Sequence, residues 1–172
     1  MNIDSIVNGI VIDHITAGRG KEIYNLLHLS NLACMVALIT NASSVKMGRK
    51  DIIKIDAAIE LDTDALGFVD PGVTVSIIAA GQTVEKKKLD LPMELEGVLH
   101  CKNPRCITST EQELAPIFKL TDKAKREYRC IYCESKFKFS KNPPEIRRIF
   151  LYPAAKLWYY IWTTYPYMEA SI

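Results

Sequence analysis

Apolar and polar positions alternate between strand-like and helix-like spacing over the first ninety residues of the chain. The run GIVIDHI at 9–15 is mostly apolar, which is typical of a strand buried on both faces, whereas residues 50–61 alternate as in a half-buried strand. Ile23, Leu26 and Leu27 recur at helical spacing. The pattern predicts strands at 3–15, 33–40, 50–61, 73–79 and 83–88, a helix at 21–29, and a second helix from an Asp62 N-cap to Phe68.

The order of these elements is β-α-β-β-α-β with one added strand. This order is typical of the ferredoxin-like, split βαβ arrangement, in which two helices pack on one face of a sheet. We therefore predict an α+β fold with a first domain at residues 1–91, followed by a linker around Leu89–Pro92.

Four cysteines organise the second half of the chain. Cys101 and Cys106 form a C-x4-C pair, 23 residues follow, and Cys130 and Cys133 form a C-x2-C pair. Two close pairs suit a tetrahedral metal, and four soft thiolates favour Zn²⁺ in a closed, structural site. Two disulfides or unrelated cysteines are the alternatives. We predict a small zinc-ribbon (rubredoxin-like) β domain at residues 96–141, in which the metal supplies folding energy that a small core lacks.

The charge distribution leaves a second function open. The net charge is +2, but residues 1–90 carry −2 and residues 91–172 carry +4, so the basic bias lies with the cysteines. A zinc ribbon of this kind can bind a phosphate backbone, and a nucleic-acid-binding protein is therefore the alternative function. The basic residues concerned are Lys102, Arg105, Lys119, Lys123, Lys125, Arg126 and Arg129, diluted by neighbouring acids.

The two ends of the chain bear on location. No basic segment opens the chain, and Asp13, His14 and Arg19 interrupt the apolar run that follows, so we expect a cytoplasmic protein with reduced cysteines. Residues 142–172 form an atypical tail that holds eight of the 15 aromatic residues. Lys156 and two prolines interrupt its apolar run, so no membrane segment is expected. An additional interface and a non-native end are the alternatives.

Polar residues near the strands suggest a ligand site. Histidine can stack on or hydrogen-bond a base, and aspartate can accept from a sugar hydroxyl, so Asp13 and His14 are candidates; a locally bonded core histidine is the alternative. Lys50, Lys54 and Lys86 can converge on phosphates, although they also fit a solvated surface. Neither a P-loop nor a dinucleotide fingerprint occurs, and no nucleophile motif lies near Asp13 and His14, so an independent enzyme is the weakest interpretation.

Three segments together resemble the regulatory chain of aspartate carbamoyltransferase. They are GIVIDHI at 9–15, MGRKDIIKI at 47–55 and the cysteine frame with its 23-residue gap. The resemblance covers roughly residues 3–140. It implies a non-catalytic subunit with an N-terminal, ferredoxin-like allosteric domain and a C-terminal zinc domain, acting in de novo pyrimidine biosynthesis.

The resemblance also implies partners and cofactors. Regulatory chains of this family pair as homodimers through the allosteric domain, and their zinc domain docks on the catalytic chain in a dodecameric holoenzyme. The effectors are the nucleotides CTP, ATP and UTP. One structural Zn²⁺ is implied, with Mg²⁺ as a potential companion of the bound nucleotide.

Carried over by position, the resemblance assigns the site residues. Asp13 would lie near ribose and base, Lys54 and Lys86 would meet sugar and phosphates, and main-chain groups would read the base edge. The family commonly has Asn at the position of Ser76 and an aromatic residue at that of Gly81, so effector preference can differ. The nucleotide site would comprise Ile6, Asp13, His14, Lys54, Ser76, Ile78 and Lys86, and the zinc ligands would be Cys101, Cys106, Cys130 and Cys133.

Overall fold

The computed structural model describes residues 6–111 and 113–137, together with the backbone of Tyr152–Pro153. The rest of the predicted tail at 142–172 lies outside the described residues. Within the described part of the chain, no helix is long and apolar enough to cross a membrane. The strands are β1 Gly9–Thr16, β2 Val36–Ser44, β3 Gly48–Ile55, β4 Ile59–Glu60, β5 Thr74–Ala79, β6 Gln82–Lys88, β7 Glu94–Glu96, β8 Ile117–Asp122, β9 Glu127–Cys130, β10 Lys136–Phe137 and β11 Tyr152–Pro153; the α-helices are α1 Gly20–Leu26, α2 Thr63–Val69 and α3 Ile107–Thr110.

The first sheet has the strand order β2-β3-β1-β5-β6, and every neighbouring pair is antiparallel. Without β6, this is the order of a ferredoxin-like sheet, and β6 is the added strand, joined to β5 as a hairpin. The α+β prediction is confirmed. Strands β4 and β11 pair separately from this sheet.

One face of the sheet carries the core and the other face stays open. Alternate residues of the central strands point toward the helices, because side chains alternate between the faces of a strand. The buried strand residues are Ile10, Ile12, Ile53, Ile55 and Val75, and the helices contribute Ile23, Leu66 and Val69 to the same core.

Helix α2 begins where the sequence predicts. The Asp62 carboxylate accepts hydrogen bonds from the backbone N–H groups of Asp64 at 3.1 Å and Ala65 at 2.9 Å, as an N-cap does. Helix α1 is shorter than the predicted segment 21–29 and ends at Leu26. The chain turns there because His28 takes a left-handed conformation, with φ of 48°, before a short 3-10 helix at Leu29–Asn31.

The second sheet, in the order β10-β9-β8-β7, belongs to the cysteine module and shares a core with α2. The ring of Phe68 on α2 packs edge-on against Tyr128 and Phe137, at centroid distances of 5.3 and 6.1 Å. Gly67 lets α2 lie close against the linker, because a Cβ there would lie 2.5 Å from the carbonyl oxygen of Asp90. The two sheets are therefore joined through α2.

Several predicted strand boundaries are wrong. The strand predicted at 50–61 is divided into β3 and β4, with a bend between them that the Asp56 N–H stabilises by donating to the Met35 carbonyl at 2.9 Å. Strand β2 runs through Ser44 because its end pairs with β3, and β1 starts at Gly9. Strands β7 and β10 escape prediction because two or three residues are too few to show a period.

Candidate functional site

A row of side chains crosses the open face of the first sheet. Lys54 of β3 lies opposite Val11 of β1, and Val11 lies opposite Ser76 of β5. Ser76 in turn lies opposite Lys86 of β6. Directly opposed residues share a face, so the two lysines flank a floor of Val11 and Ser76, about 14 Å apart at ~4.8 Å per strand. Such a floor can hold a small, flat ligand between two cations.

Asp13 and His14 lie in a β-bulge at the end of β1. The pairing with β3 shifts from Ile12 opposite Ile53 to Ile15 opposite Asp51, so the strand accommodates an extra residue. His14 has φ of 61°, and its N–H donates to Asp13 Oδ1 at 2.6 Å. The bulge brings His14 to the wall of a cavity that Lys86 also lines.

The Asp13 carboxylate is already engaged inside the protein. Lys50 Nζ lies 2.7 Å from Oδ1 and 2.9 Å from Oδ2. Burial raises the pKa of Asp13, but the hydrogen bonds from Lys50 and from the His14 N–H outweigh it and hold the pKa below its usual value. Lys50 was predicted to converge on phosphates with Lys54 and Lys86. The structure instead places it against Asp13, which neutralises its charge locally.

The cavity at the His14 end has a volume of about 570 Å³. Its walls come from the end of β1, the β2–β3 turn, the segment after α2, and strands β5 and β6. They carry several cationic groups and, among the described residues, no carboxylate. An anionic group fits this lining. The lining residues are His14, Thr16, Lys46, Met47, Pro71, Gly72, Thr74, Lys86 and Lys88.

Ile6 and Ile78 lie at the opposite end of β1. Ile78 is paired with Gly9, and a Cβ on Gly9 would lie 2.9 Å from Ile6 Cγ2 and 2.1 Å from the Ile55 carbonyl oxygen. Ile6 also lines a second cavity, of about 470 Å³. The five residue-to-residue steps from Gly9 to His14 span about 17 Å at ~3.3 Å each. This length accommodates a base, a sugar and a phosphate chain in line.

Buried carboxylates hold the walls of the His14 cavity. Asp70, at the end of α2, accepts from the Thr16 N–H at 2.8 Å and the Thr16 hydroxyl at 2.9 Å. Asp51 is fully buried and accepts from the N–H groups of Gly18 and Gly20 at 2.9 Å each and of Asn41 at 2.8 Å. These bonds join the end of β1, the start of α1, β2 and the end of α2 into a hydrogen-bonded rim.

The four predicted metal ligands form one cluster. Their Sγ atoms all lie within 4.8 Å of one another, with 3.5 Å from Cys101 to Cys133 and 3.8 Å from Cys106 to Cys130. A tetrahedral ion with metal–sulfur bonds of ~2.3 Å has sulfur–sulfur edges of about 3.8 Å. All four cysteines are free thiols and not disulfides. The thiols therefore fit a four-coordinate metal ion with no open position.

Two tight turns present these thiols. The Cys106 N–H donates to the Asn103 carbonyl at 3.0 Å, which closes the first turn around Pro104. In the second turn the Cys130 carbonyl accepts from the Glu134 N–H at 2.8 Å, with Glu134 at φ of 57°. Each turn thus supplies two sulfurs from a hydrogen-bonded backbone.

The thiols differ in acidity. Burial raises the pKa of Cys101 to about 12 and also raises the pKa of Cys130. Burial works in the same direction at Cys133, but hydrogen bonds with Ser135 outweigh it and lower the pKa to about 6. A cation bound by all four sulfurs favours their thiolate forms, so metal binding releases protons.

Several basic residues of the cysteine module are paired with acids of the module or of the segment that precedes it. Lys119 lies 3.5 Å from Glu94, and Lys123 forms an ion pair with Asp90. Arg129 likewise lies 3.3 Å from a Glu127 carboxylate oxygen. These local pairs reduce the charge available to a nucleic-acid backbone.

The sequence and its family resemblance predict the row residues Lys54, Ser76 and Lys86 and the four cysteines. They do not predict the rest of the lining around them. The run GIVIDHI predicts a strand buried on both faces, and this is wrong, because Val11 and Asp13 are only half-buried on the open face of β1. Lys46 and Lys88 join the cavity only through the β2–β3 turn and the β5–β6 register, which no local pattern reveals.

An open, lysine-flanked sheet is joined here to a four-thiol module that could hold a metal ion, which defines the class as a protein with a sheet domain and a cysteine-rich metal-site domain. Residues 1–90 match the family model described as "Aspartate carbamoyltransferase regulatory chain, allosteric domain", and residues 93–142 match the corresponding "metal binding domain". The chain belongs to the family of aspartate carbamoyltransferase regulatory chains.

Curated relatives agree with the family models. A regulatory chain of Clostridium botulinum is 51% identical over 134 residues, which are 78% of this chain and 92% of the relative. A Clostridium tetani relative is 49% identical over 139 residues, 80% of this chain and 96% of its own. A Bifidobacterium longum relative is 42% identical over 138 residues, which are 80% of this chain and 99% of the relative. As a regulatory chain, the protein is a non-catalytic subunit of aspartate carbamoyltransferase.

Proposed function

We propose that this chain binds nucleotide effectors with its first domain, residues 1–91, and controls the catalytic chain through its second domain, residues 96–141. It would act in the cytoplasm, in de novo pyrimidine biosynthesis. The observation that carries the proposal is the row from Lys54 through Ser76 to Lys86, which ends beside a cationic cavity.

The effector lies along the open face in this proposal. The base sits near Ile6 and Ile78, where half-buried apolar side chains and main-chain groups are within reach. The sugar lies over Ser76 and Lys54, and the phosphates approach Lys86 and His14. A nucleotide of CTP, ATP or UTP type suits this order, because its apolar and anionic ends match the two ends of β1.

Zn²⁺ is the metal we propose for the cysteine cluster. Four soft thiolates in a tetrahedral arrangement select it over harder cations. Bound zinc supplies folding energy to a module that buries few large side chains. The folded module then offers its outer surface to the catalytic chain.

The proposed assembly follows the family. Regulatory chains form homodimers through the first domain and join catalytic trimers in a dodecamer. Within the described residues, β2 and β6 are the edges of the first sheet, so either edge is open to a second copy. An effector shifts the activity only as far as it binds one quaternary state more tightly than the other.

Co-expression with the catalytic chain tests the proposal. The two chains should co-purify, and added CTP or ATP should change the aspartate dependence of the assembled enzyme. Lys54→Gln should weaken nucleotide binding about tenfold, since it removes a charge-assisted contact, whereas the matched variant Lys87→Gln should leave binding unchanged. Lys87 sits on the helix side of β6, with Nζ 3.3 Å from the Thr63 hydroxyl. Failure to co-purify, or indifference to every nucleotide, would refute the proposal.

Nucleic-acid binding is the alternative to this proposal. The internal ion pairs of the cysteine module favour a protein-docking surface over a phosphate-backbone surface. A nucleic-acid binder would instead show salt-dependent affinity for DNA or RNA.

A further inference from the structure

We propose that strand β4, Ile59–Glu60, is the docking site for the C-terminal tail of the same chain, which joins it as the antiparallel strand β11, Tyr152–Pro153. The docked tail acts as a strap that holds the start of α2. It is the additional interface that the sequence of the tail leaves open. The inference uses neither the nucleotide site nor the metal cluster, so it stands or falls independently of the proposed function.

The first observation is that β11 lies beyond the part of the chain that the family accounts for. The second family model ends at residue 142, and the relatives named above match 78–80% of this chain while the match covers 92–99% of their own lengths. The 15 residue-to-residue steps from Phe137 to Tyr152 can span up to about 50 Å at ~3.3 Å each. The tail is therefore long enough to return from the second sheet to the first domain.

The second observation is that β4 offers a strand edge. It belongs to neither of the two larger sheets, and β11 is its only strand partner in the part of the chain that the structure describes. Ile59 and the neighbouring Leu61 are partly buried against the core, whereas Glu60 is exposed. The core thus holds β4 in an extended conformation, which is the kind of backbone that an extended peptide joins through main-chain hydrogen bonds.

The third observation is that the register of the pairing suits the proline. Tyr152 lies opposite Glu60, and Pro153 lies opposite Ile59. Directly opposed residues of antiparallel strands alternate between pairs that exchange two N–H···O bonds and pairs that exchange none. Because proline has no N–H, Tyr152 and Glu60 form the hydrogen-bonded pair, and Pro153 occupies a position that needs no donor.

The segment after β4 gives this docking its consequence. Asp62, two residues beyond Glu60, caps α2 by accepting hydrogen bonds from the N–H groups of Asp64 and Ala65. Phe68 of the same helix packs against the aromatic rings of the cysteine module. A strand paired with β4 therefore restrains the entry into the helix that joins the two sheets.

Hydrogen exchange of the full chain, measured by mass spectrometry, tests the docking. In a chain that ends at residue 142, the peptide that spans β4 should exchange about fivefold faster than in the full chain, since the hydrogen bonds to the tail are lost. Tyr152→Pro removes the N–H donor of the bonded pair and should reproduce much of this increase. Pro153→Ala removes no donor and is the matched control. Unchanged exchange in β1 shows that each variant is folded.

A pair of cysteines tests which copy supplies the strand. Glu60→Cys combined with Tyr152→Cys, in a Cys34→Ser background, should form a disulfide under oxidised glutathione, because hydrogen-bonded partners have Cα atoms about 5.5 Å apart. Peptide mapping assigns the bond, and electrophoresis without reductant should show a single linked chain. Glu60→Cys without the Tyr152 substitution is the control.

Two sets of results would overturn the inference. Equal exchange of β4 in the full and shortened chains, or equal behaviour of Tyr152→Pro and Pro153→Ala, would show that the tail does not dock on β4. A disulfide that joins two copies, or no disulfide at all, would show that the chain's own tail is not the occupant.

Discussion

Phe68 is the residue whose replacement best tests how the two domains communicate. It lies on α2, whose C-terminal end leads into Pro71 and Gly72 on the wall of the cationic cavity. Its ring is 1% exposed and packs edge-on against Tyr128 and Phe137 of the other domain. A ligand that moves the cavity wall therefore acts on this aromatic contact through one short helix.

The magnitude follows from the two aromatic pairs. Phe68→Leu keeps an apolar side chain of similar size but loses both edge-to-face contacts, each about 0.5–1.5 kcal/mol. The total of about 1–3 kcal/mol equals the usual size of an allosteric coupling free energy. We therefore expect the variant holoenzyme to bind CTP nearly normally while its activity responds to CTP several-fold less.

The assay is aspartate saturation of the holoenzyme with and without CTP, paired with calorimetric CTP binding. Phe118→Leu is the matched control, because Phe118 packs on Phe137 at 6.0 Å within the cysteine module. A full CTP response in Phe68→Leu would refute the role of α2. An equal loss of the CTP response in Phe118→Leu would also refute it, since that loss would indicate general damage to the cysteine module.

Three further predictions address the metal, the bulge and the rim. Cys106→Ser should abolish stoichiometric metal and assembly with the catalytic chain, measured by elemental analysis and gel filtration, whereas Cys34→Ser, outside the cluster, should alter neither. Lys50→Gln should lower the unfolding free energy by about 1 kcal/mol at pH 7. Since the pKa of Asp13 is lowered in the folded state, this difference should persist above pH 3.8 and shrink as the pH falls below that value in urea titrations; a constant difference would contradict the pairing. Gly20→Ala should destabilise by about 1–3 kcal/mol in the same titrations, because its Cβ would meet a leucine methyl at 2.8 Å and a buried carboxylate at 2.9 Å; an unchanged midpoint would contradict this close packing.

The sequence predicts the fold well because each strand and helix of the first domain carries its own signal. Apolar runs or alternation mark the strands, Asp62 marks the start of α2, and the order of elements then leaves few topologies. Strand ends are less predictable because pairing sets them. Val36–Ser44 extends past its apolar run only because Gly48–Ile55 continues beside it. A short strand such as Lys136–Phe137 depends wholly on its neighbour.

The candidate site is only partly predictable for a related reason. The four cysteines are evident from spacing, since two short turns fix four sulfurs. Lys54, Ser76 and Lys86 are far apart in the chain and meet through the registers of three strand pairs. A shift of one residue in any pair would turn one of them to the core side. Local patterns specify a face but not a register, so the resemblance to a family was needed to name these residues together.

The net charge of the chain conceals the lysine-lined cavity at the His14 end of the first sheet. A net charge of +2 suggests no strong attraction for a polyanion. Some lysines, however, are paired with carboxylates, and others are not. Asp13 neutralises Lys50 on the open face, and Asp90 neutralises Lys123 in the cysteine module. The positive potential then concentrates where Lys46 and Lys86 form no ion pair with a carboxylate among the described residues. In the proposed function, selectivity for a phosphate chain would therefore arise from how the carboxylates are placed, because each one removes a competing cationic surface elsewhere.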